Sequence, residues 1–202
     1  MAASPPVARP GSKAALRAAV TARRAARTAA EQVAADRARA DLLLAALGPR
    51  PPQVAAAYLS RPDEPGTSAI VEALAEAGTT VLLPVMSGRG RRHPDWAEYR
   101  GPDQVRPGPH GIWEPDGPAL GAATLGRAAL LILPALAATR SGHRLGTGGG
   151  WYDRALLHAA AEAPRWVLLH DDEVLEQLPV EDWDQPVSAI WTPTQRIVCC
   201  PE

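Results

Sequence analysis

Residues 127–154, RAALLILPALAATRSGHRLGTGGGWYDR, decide how the rest of the chain is read. The run 127–133 is apolar throughout after Arg127 and closed by Pro134, the pattern of a strand buried on both faces of a parallel sheet. A glycine-rich loop follows, from Gly142 to Gly150, and then a helix is predicted over 151–163. Glycines lack a Cβ, so their peptide N–H groups can approach phosphate oxygens, and a helix N-terminus adds about half a positive charge there. Arg144 can offer a fork of donors to the same oxygens. The loop matches neither common nucleotide fingerprint. GxGxxG would need glycine where Trp151 stands, and no GxxxxGK[ST] occurs. The competing reading is a flexible strand-to-helix turn.

Working outward, the segments 79–85 (TTVLLPV) and 165–170 read as further buried strands, and 187–191 and 195–199 as two final ones. Upstream, 12–47 is rich in Ala, Arg, Leu and Glu and free of proline, so it reads as helix. Ser12 caps it, Gly48 with Pro49 stops it, and a turn is expected inside it because one straight helix of that length is unusual in a small domain. A short helix is predicted over 53–59, another over 68–77 capped by Thr67, and a helical turn over 173–178. The segment 86–126 is rich in Gly, Pro and Arg and reads as loop, with at most an edge strand near 96–100. Strands alternating with helices give a three-layer α/β/α sandwich around a mainly parallel sheet. Residues 1–11 read as a disordered tail and 12–202 as a single domain.

Composition narrows the function classes. A chain of 202 residues can bury a core without disulfides or structural metal. Its net charge of -1 gives no reason to expect nucleic acid. The only cysteines, Cys199 and Cys200, are adjacent, which rules out a CxxC metal site and fits a reduced, cytoplasmic setting. No apolar run approaches the ~20 residues of a membrane span, and the first residues lack a signal peptide's apolar core.

The glycine segment, with Leu133-Pro134-Ala135-Leu136-Ala137 before it, resembles the signature of the 5-formyltetrahydrofolate cyclo-ligase family. The resemblance runs in order along nearly the whole chain. Lys13 and Arg17 match the family's K-x-x-L-R, and Tyr58-Leu59-Ser60 with Glu64 and Thr67 match its "hydrophobic-S … E-x-x-T". Val81 to Pro84, Gly111-Ile112-Trp113-Glu114-Pro115, Gln177-Leu178-Pro179 and Asp184 follow. Two positions depart: Ala138-Thr139 stands where the family has Phe-Asp, and Trp151-Tyr152 where it has two tyrosines.

The resemblance implies an ATP-dependent ring closure on a folate, with ATP as co-substrate, Mg²⁺ as cofactor, and a monomer or weak dimer with small-molecule substrates and no nucleic-acid or membrane partner. It implies ATP binding by Lys13, Arg17, Arg144, Leu145, Gly146, Thr147, Gly148, Gly149, Gly150, Trp151 and Tyr152. It assigns Arg144 and Asp153 to catalysis, Asp153 and Asp184 to the metal, and Leu59, Glu64 and Trp151 to the folate. Read without it, Lys13 and Arg17 lie on one face of an Arg-rich helix, as a solvated stripe would, and Arg24 on that face is structural. Asp153 is then a first-turn acid, Asp184 a turn residue before Pro186, and Glu64 an exposed turn acid. Two other classes stay open: a non-catalytic folate or nucleotide binder, and a sugar-phosphate isomerase that needs no ATP.

Overall fold

The computed structural model describes residues 11–200, so the expected tail lies, except for Gly11, outside the described residues. Ser12 caps α1 (Lys13–Ala25), its hydroxyl accepting from the Ala15 N–H. The expected turn comes next, and Thr28 with Glu31 forms a reciprocal capping box that starts α2 (Ala29–Leu47). After it come β1 (Val54–Ala56), α3 (Ser68–Glu76), β2 (Thr80–Pro84), β3 (Trp96–Glu98), β4 (Val105–Pro107), β5 (Trp113–Pro115) and β6 (Leu130–Leu133). The chain then forms β7 (Ala137–Thr139), β8 (Arg144–Leu145), α4 (Trp151–Leu156), β9 (Arg165–Leu168), β10 (Val174–Leu175), β11 (Ala189–Trp191) and β12 (Arg196–Val198).

Seven strands form the main sheet in the order β12-β11-β9-β6-β1-β2-β3. The five inner strands are parallel and the two edge strands antiparallel. Strand residues of one parity, such as Ala55, Val81, Ile132 and Trp166, pack beneath Leu43 of α2 and Ile70 and Leu74 of α3. Those of the other parity, such as Ala56, Leu82, Leu131 and Val167, pack against Trp151 and Leu156 of α4. This is the expected three-layer α/β arrangement. Among the described residues, no helix is long and apolar enough to cross a membrane.

Four local expectations are corrected. The segment expected as a helix over 53–59 instead carries β1, at the centre of the sheet. Seven residues nucleate a helix poorly on their own, whereas pairing with β2 and β6 supplies hydrogen bonds on both sides. The helix expected over 151–163 stops at Leu156 and tightens into turns in which the His158 and Ala159 N–H groups bond three residues back, to the carbonyls of Ala155 and Leu156. The turn expected over 173–178 is a single 3₁₀ turn at Asp171–Glu173, after which β10 pairs with β7. The loop expected over 86–126 holds, besides β3, the antiparallel hairpin of β4 and β5.

The order of the inner strands places the site. The chain runs from β1 outward to β2 on one side, and from β6 through β9 to β11 on the other. Connections that diverge in this way open a crevice beyond the carboxyl ends of the two central strands. Here those ends are Tyr58-Leu59 after β1 and Pro134-Ala135-Leu136 after β6.

Candidate active site

A cavity of about 980 Å³ opens at that crevice. Every residue that the sequence assigned to ATP, folate or metal lines it: Lys13, Arg17, Leu59, Glu64, Arg144 to Asp153, and Asp184. They come from α1, the loop after β1, β8 with the glycine loop, the start of α4, and the loop before β11.

The glycine segment does not pass directly from strand to helix. The hairpin of β7 and β8 intervenes, so Arg144 and Leu145 are buried strand residues and the open loop is 146–150. Thr139, where the family has Asp, lies in this hairpin. Its hydroxyl pairs with that of Ser141 at 2.9 Å and accepts from the His143 N–H at 3.1 Å, so the turn is held without a carboxylate. Two arginines tie down carbonyls of the loop. Arg17 Nε donates to Gly146 O at 2.9 Å, and Arg154 donates to Gly149 O at 3.3 Å. Among the described residues, the N–H groups of Thr147, Gly148 and Gly149 find no acceptor. Gly148 has φ +103, and a Cβ there would lie 3.3 Å from the Arg17 guanidinium carbon. Glycine is thus required twice over at this position.

The charged groups are already paired with one another. Lys13 Nζ donates to Asp184 Oδ2 at 2.7 Å and lies 3.5 Å from Glu181. Arg144 donates to Asp153 Oδ1 at 2.5 Å, while its buried Nε finds no partner among the described residues. Partial burial pushes the Asp184 carboxyl upward, but the Lys13 ammonium and the Glu181 N–H outweigh it and hold its pKa below the ordinary range. Among the described residues, no three His, Cys, Asp or Glu side chains cluster as a metal site. The donor set of Asp153 and Asp184 nevertheless suits Mg²⁺, which binds through one or two carboxylates and takes its other ligands from phosphate and water.

In the loop after β1, Glu64 accepts from the Arg61 N–H at 2.9 Å and from its guanidinium at 3.0 Å. Burial, then the Glu64 charge, raises the pKa of the neighbouring Tyr58 hydroxyl. Trp151 is only 6% exposed. Its indole N–H donates to Gly90 O at 2.7 Å, and its ring meets Trp96 and Tyr152 edge-on. It closes the cavity floor from within the core. Arg24 is structural, as expected: it pairs bidentately with buried Glu173 and donates to Ala135 O.

Some lining residues escaped the sequence reading. Arg61, His110, Glu181 and Trp183 all face the cavity, and Trp183 is 66% exposed. Arg61 was findable from its i,i+3 spacing to Glu64. Trp183 was findable as a lone aromatic among the acids Glu181, Asp182 and Asp184. Fully buried Glu114 reaches the site indirectly, accepting from the N–H groups of Met86 and Ser87 and so fixing Met86 in the cavity wall.

A model of the 5-formyltetrahydrofolate cyclo-ligase family matches residues 9–193. The chain is 41% identical over 145 residues to the 5-formyltetrahydrofolate cyclo-ligase of Mycolicibacterium smegmatis, covering 70% of this chain and 74% of that protein. It is 34% identical over 141 residues to the protein of that name from Escherichia coli (strain K12), covering 69% and 78%. In fold it is similar to the 5,10-methenyltetrahydrofolate synthetase of Aquifex aeolicus, with a TM-score of 0.77 at 22% identity over 93% of this chain and 92% of that one. The synthetase of Mycoplasma pneumoniae gives 0.71 at 18% identity, over 90% and 98%. At such identities these two likenesses speak for the fold.

Proposed function

Since this chain belongs to the 5-formyltetrahydrofolate cyclo-ligase family, we propose that it converts 5-formyltetrahydrofolate to 5,10-methenyltetrahydrofolate, consuming ATP and releasing ADP and phosphate. The observation that carries this reading is one cavity lined by the glycine loop, the three cations Lys13, Arg17 and Arg144, and Glu64.

The formyl carbon is amide-like and a poor electrophile, and its oxygen is a poor leaving group. Transfer of the γ-phosphoryl group to that oxygen, with cleavage of the bond to ADP, corrects both. N10 then attacks the carbon, its proton departs, and the C–O bond breaks to release phosphate. Such chemistry asks the protein for positioning and charge neutralisation more than for a nucleophile.

Lys13, Arg17 and Arg144 hold the triphosphate, with the N–H groups of Gly146 to Gly150 along its edge and Leu145, Trp151 and Tyr152 behind them. The unpartnered Arg144 Nε supports this role, because a buried donor left without an acceptor is costly. Asp153 and Asp184 would hold Mg²⁺, which when bound neutralises charge on the phosphate oxygens. Glu64 accepts from the pterin's amino and ring N–H donors, and Leu59 and Trp151 give the ring an apolar wall. The proposed enzyme is cytoplasmic, a monomer or weak dimer, with small-molecule substrates and no nucleic-acid or membrane partner.

Absorbance of the methenyl product, followed with 5-formyltetrahydrofolate in the presence and absence of ATP, tests this. Product should appear only with ATP. A binder without turnover would give none in either case, and a sugar-phosphate isomerase would instead turn over a phosphosugar without ATP.

A further inference from the structure

Glu64 sits on a loop, 60–66, that has no regular structure of its own. One stretch of α2 braces both of its shoulders. Gln32 Nε2 donates to the Glu64 carbonyl at 2.9 Å, and the Gly66 N–H donates to Asp36 Oδ1 at 2.8 Å. The approach is close: a Cβ on Gly66 would stand 2.5 Å from Asp36 Oδ2, so glycine is needed for the loop to reach the carboxylate.

Asp36 is itself fixed. Arg39, with 0% exposure, donates to Asp36 Oδ1 at 2.8 Å and through Nε to Leu169 O at 3.1 Å, just past the end of β9. Gln32, Asp36 and Arg39 are spaced four and three residues apart, so they share one helical face. The chain of bonds runs from the main sheet, through a buried guanidinium and a half-buried carboxylate, to the backbone on either side of Glu64. An apolar side chain at position 39 would pack α2 on the sheet at less desolvation cost. What an apolar residue would lack is this fixed link between sheet and loop.

We infer that Gln32, Asp36 and Arg39 are positioning residues for the folate, setting where the Glu64 carboxylate stands in the cavity without touching substrate. The inference rests on the proposed role of Glu64 as the pterin's acceptor. It predicts a selective effect: loosening the brace should weaken folate binding and leave ATP binding alone, because the phosphate-binding groups hang on α1, β8 and α4.

Gln32→Met tests it. This half-exposed side chain keeps its bulk and loses its donor, so the fold should survive. Replacement of Asp36 would strand the buried Arg39 charge and is the poorer choice. Titration with 5-formyltetrahydrofolate and, separately, with ATP should show folate Kd raised about three- to tenfold, the order of one hydrogen bond, with ATP Kd unchanged and Tm lowered by no more than a few degrees. Gln32→Lys restores a donor and should recover most of the folate affinity. In a Glu64→Gln background, Gln32→Met should add almost nothing, because both act through one group.

Unchanged folate Kd in Gln32→Met, or equal losses for both ligands, or full additivity with Glu64→Gln, would overturn the positioning role and leave Glu64 as the acceptor. Normal folate binding by Glu64→Gln alone would instead overturn the reading of Glu64, and this inference with it.

Discussion

Glu64 and Gly148 line the same cavity from different loops, one after β1 and one after β8, so substitutions at each should separate the two substrates. Glu64→Gln replaces an acceptor-only group with one that carries donors, spoiling its pairing with Arg61 and with pterin N–H groups. The expected loss is about 2 to 5 kcal/mol in folate binding, with ATP binding retained. Gly148→Ala forces φ +103 on alanine and crowds the Arg17 guanidinium, so it should weaken ATP instead. Calorimetric titration of both variants with both ligands checks the crossed pattern, and a loss of both ligands in either variant would contradict it. Asp184 gives a second prediction. Its depressed folded pKa means the Lys13 pair contributes full stability above the ordinary aspartate value of about 3.9, and that contribution disappears as pH falls through the folded value. Asp184→Asn should therefore be less stable than wild type in urea at neutral pH, with the gap closing in strong acid. The same change frees Lys13. Asp184→Asn should bind ATP more tightly than wild type without Mg²⁺ and less tightly with it, and weaker binding in both conditions would show that the pair does not compete with phosphate.

At the scale of elements, α1 matters because one helix face serves both packing and chemistry. Lys13 and Arg17 reach the cavity, Val20 is buried against Leu136 and Leu145, and Arg24 locks the helix onto Glu173. Removing one partner of a buried, doubly bonded pair strands the other charge, so Arg24→Ala should cost about 3 to 5 kcal/mol in chemical denaturation. A cost near zero would mean that α1 docks by its apolar contacts alone. Strand β1 matters through its small side chains. Ala55 and Ala56 face opposite cores between β2 and β6, with 0% and 1% exposure. Ala56→Leu has no room to occupy and should destabilise by about 1 to 3 kcal/mol. The alanines suggested a helix because helix propensity is a local quantity. The hydrogen bonds that make them a strand come from β2 and β6, whose residues lie far along the chain (Ala55 pairs with Val81 and Leu130), which no local window contains.

At the scale of the molecule, the site exists only where distant segments converge beyond the carboxyl ends of β1 and β6. Ligands should therefore tighten the loops more than the sheet. At a hundredfold excess over Kd, each substrate adds about 2.7 kcal/mol to the unfolding free energy. In hydrogen exchange, ATP should slow the loop 146–150 and 5-formyltetrahydrofolate the loop 60–66, while any slowing of β6 and β9 stays within that global gain. Protection gained in the sheet with both loops unchanged would argue against a site at this crevice.

The sequence by itself determined the alternation of apolar strands with helices, the glycine loop, and the residues that resemble a folate cyclo-ligase. Periodicity, capping residues and glycine all act over a few neighbouring positions, which is why Ser12, Gly48 and the buried strand ending at Leu133 could be read directly. The tertiary structure alone decided that 53–59 carries the central strand, that Lys13 pairs with Asp184 across 171 residues, and that Trp151 is buried with its N–H on Gly90. It also placed Gln32 and Asp36 under the loop that carries Glu64. Pairings of this kind depend on which side chains the crossover connections bring together, and the desolvation that gives them their strength arises only once the core has closed.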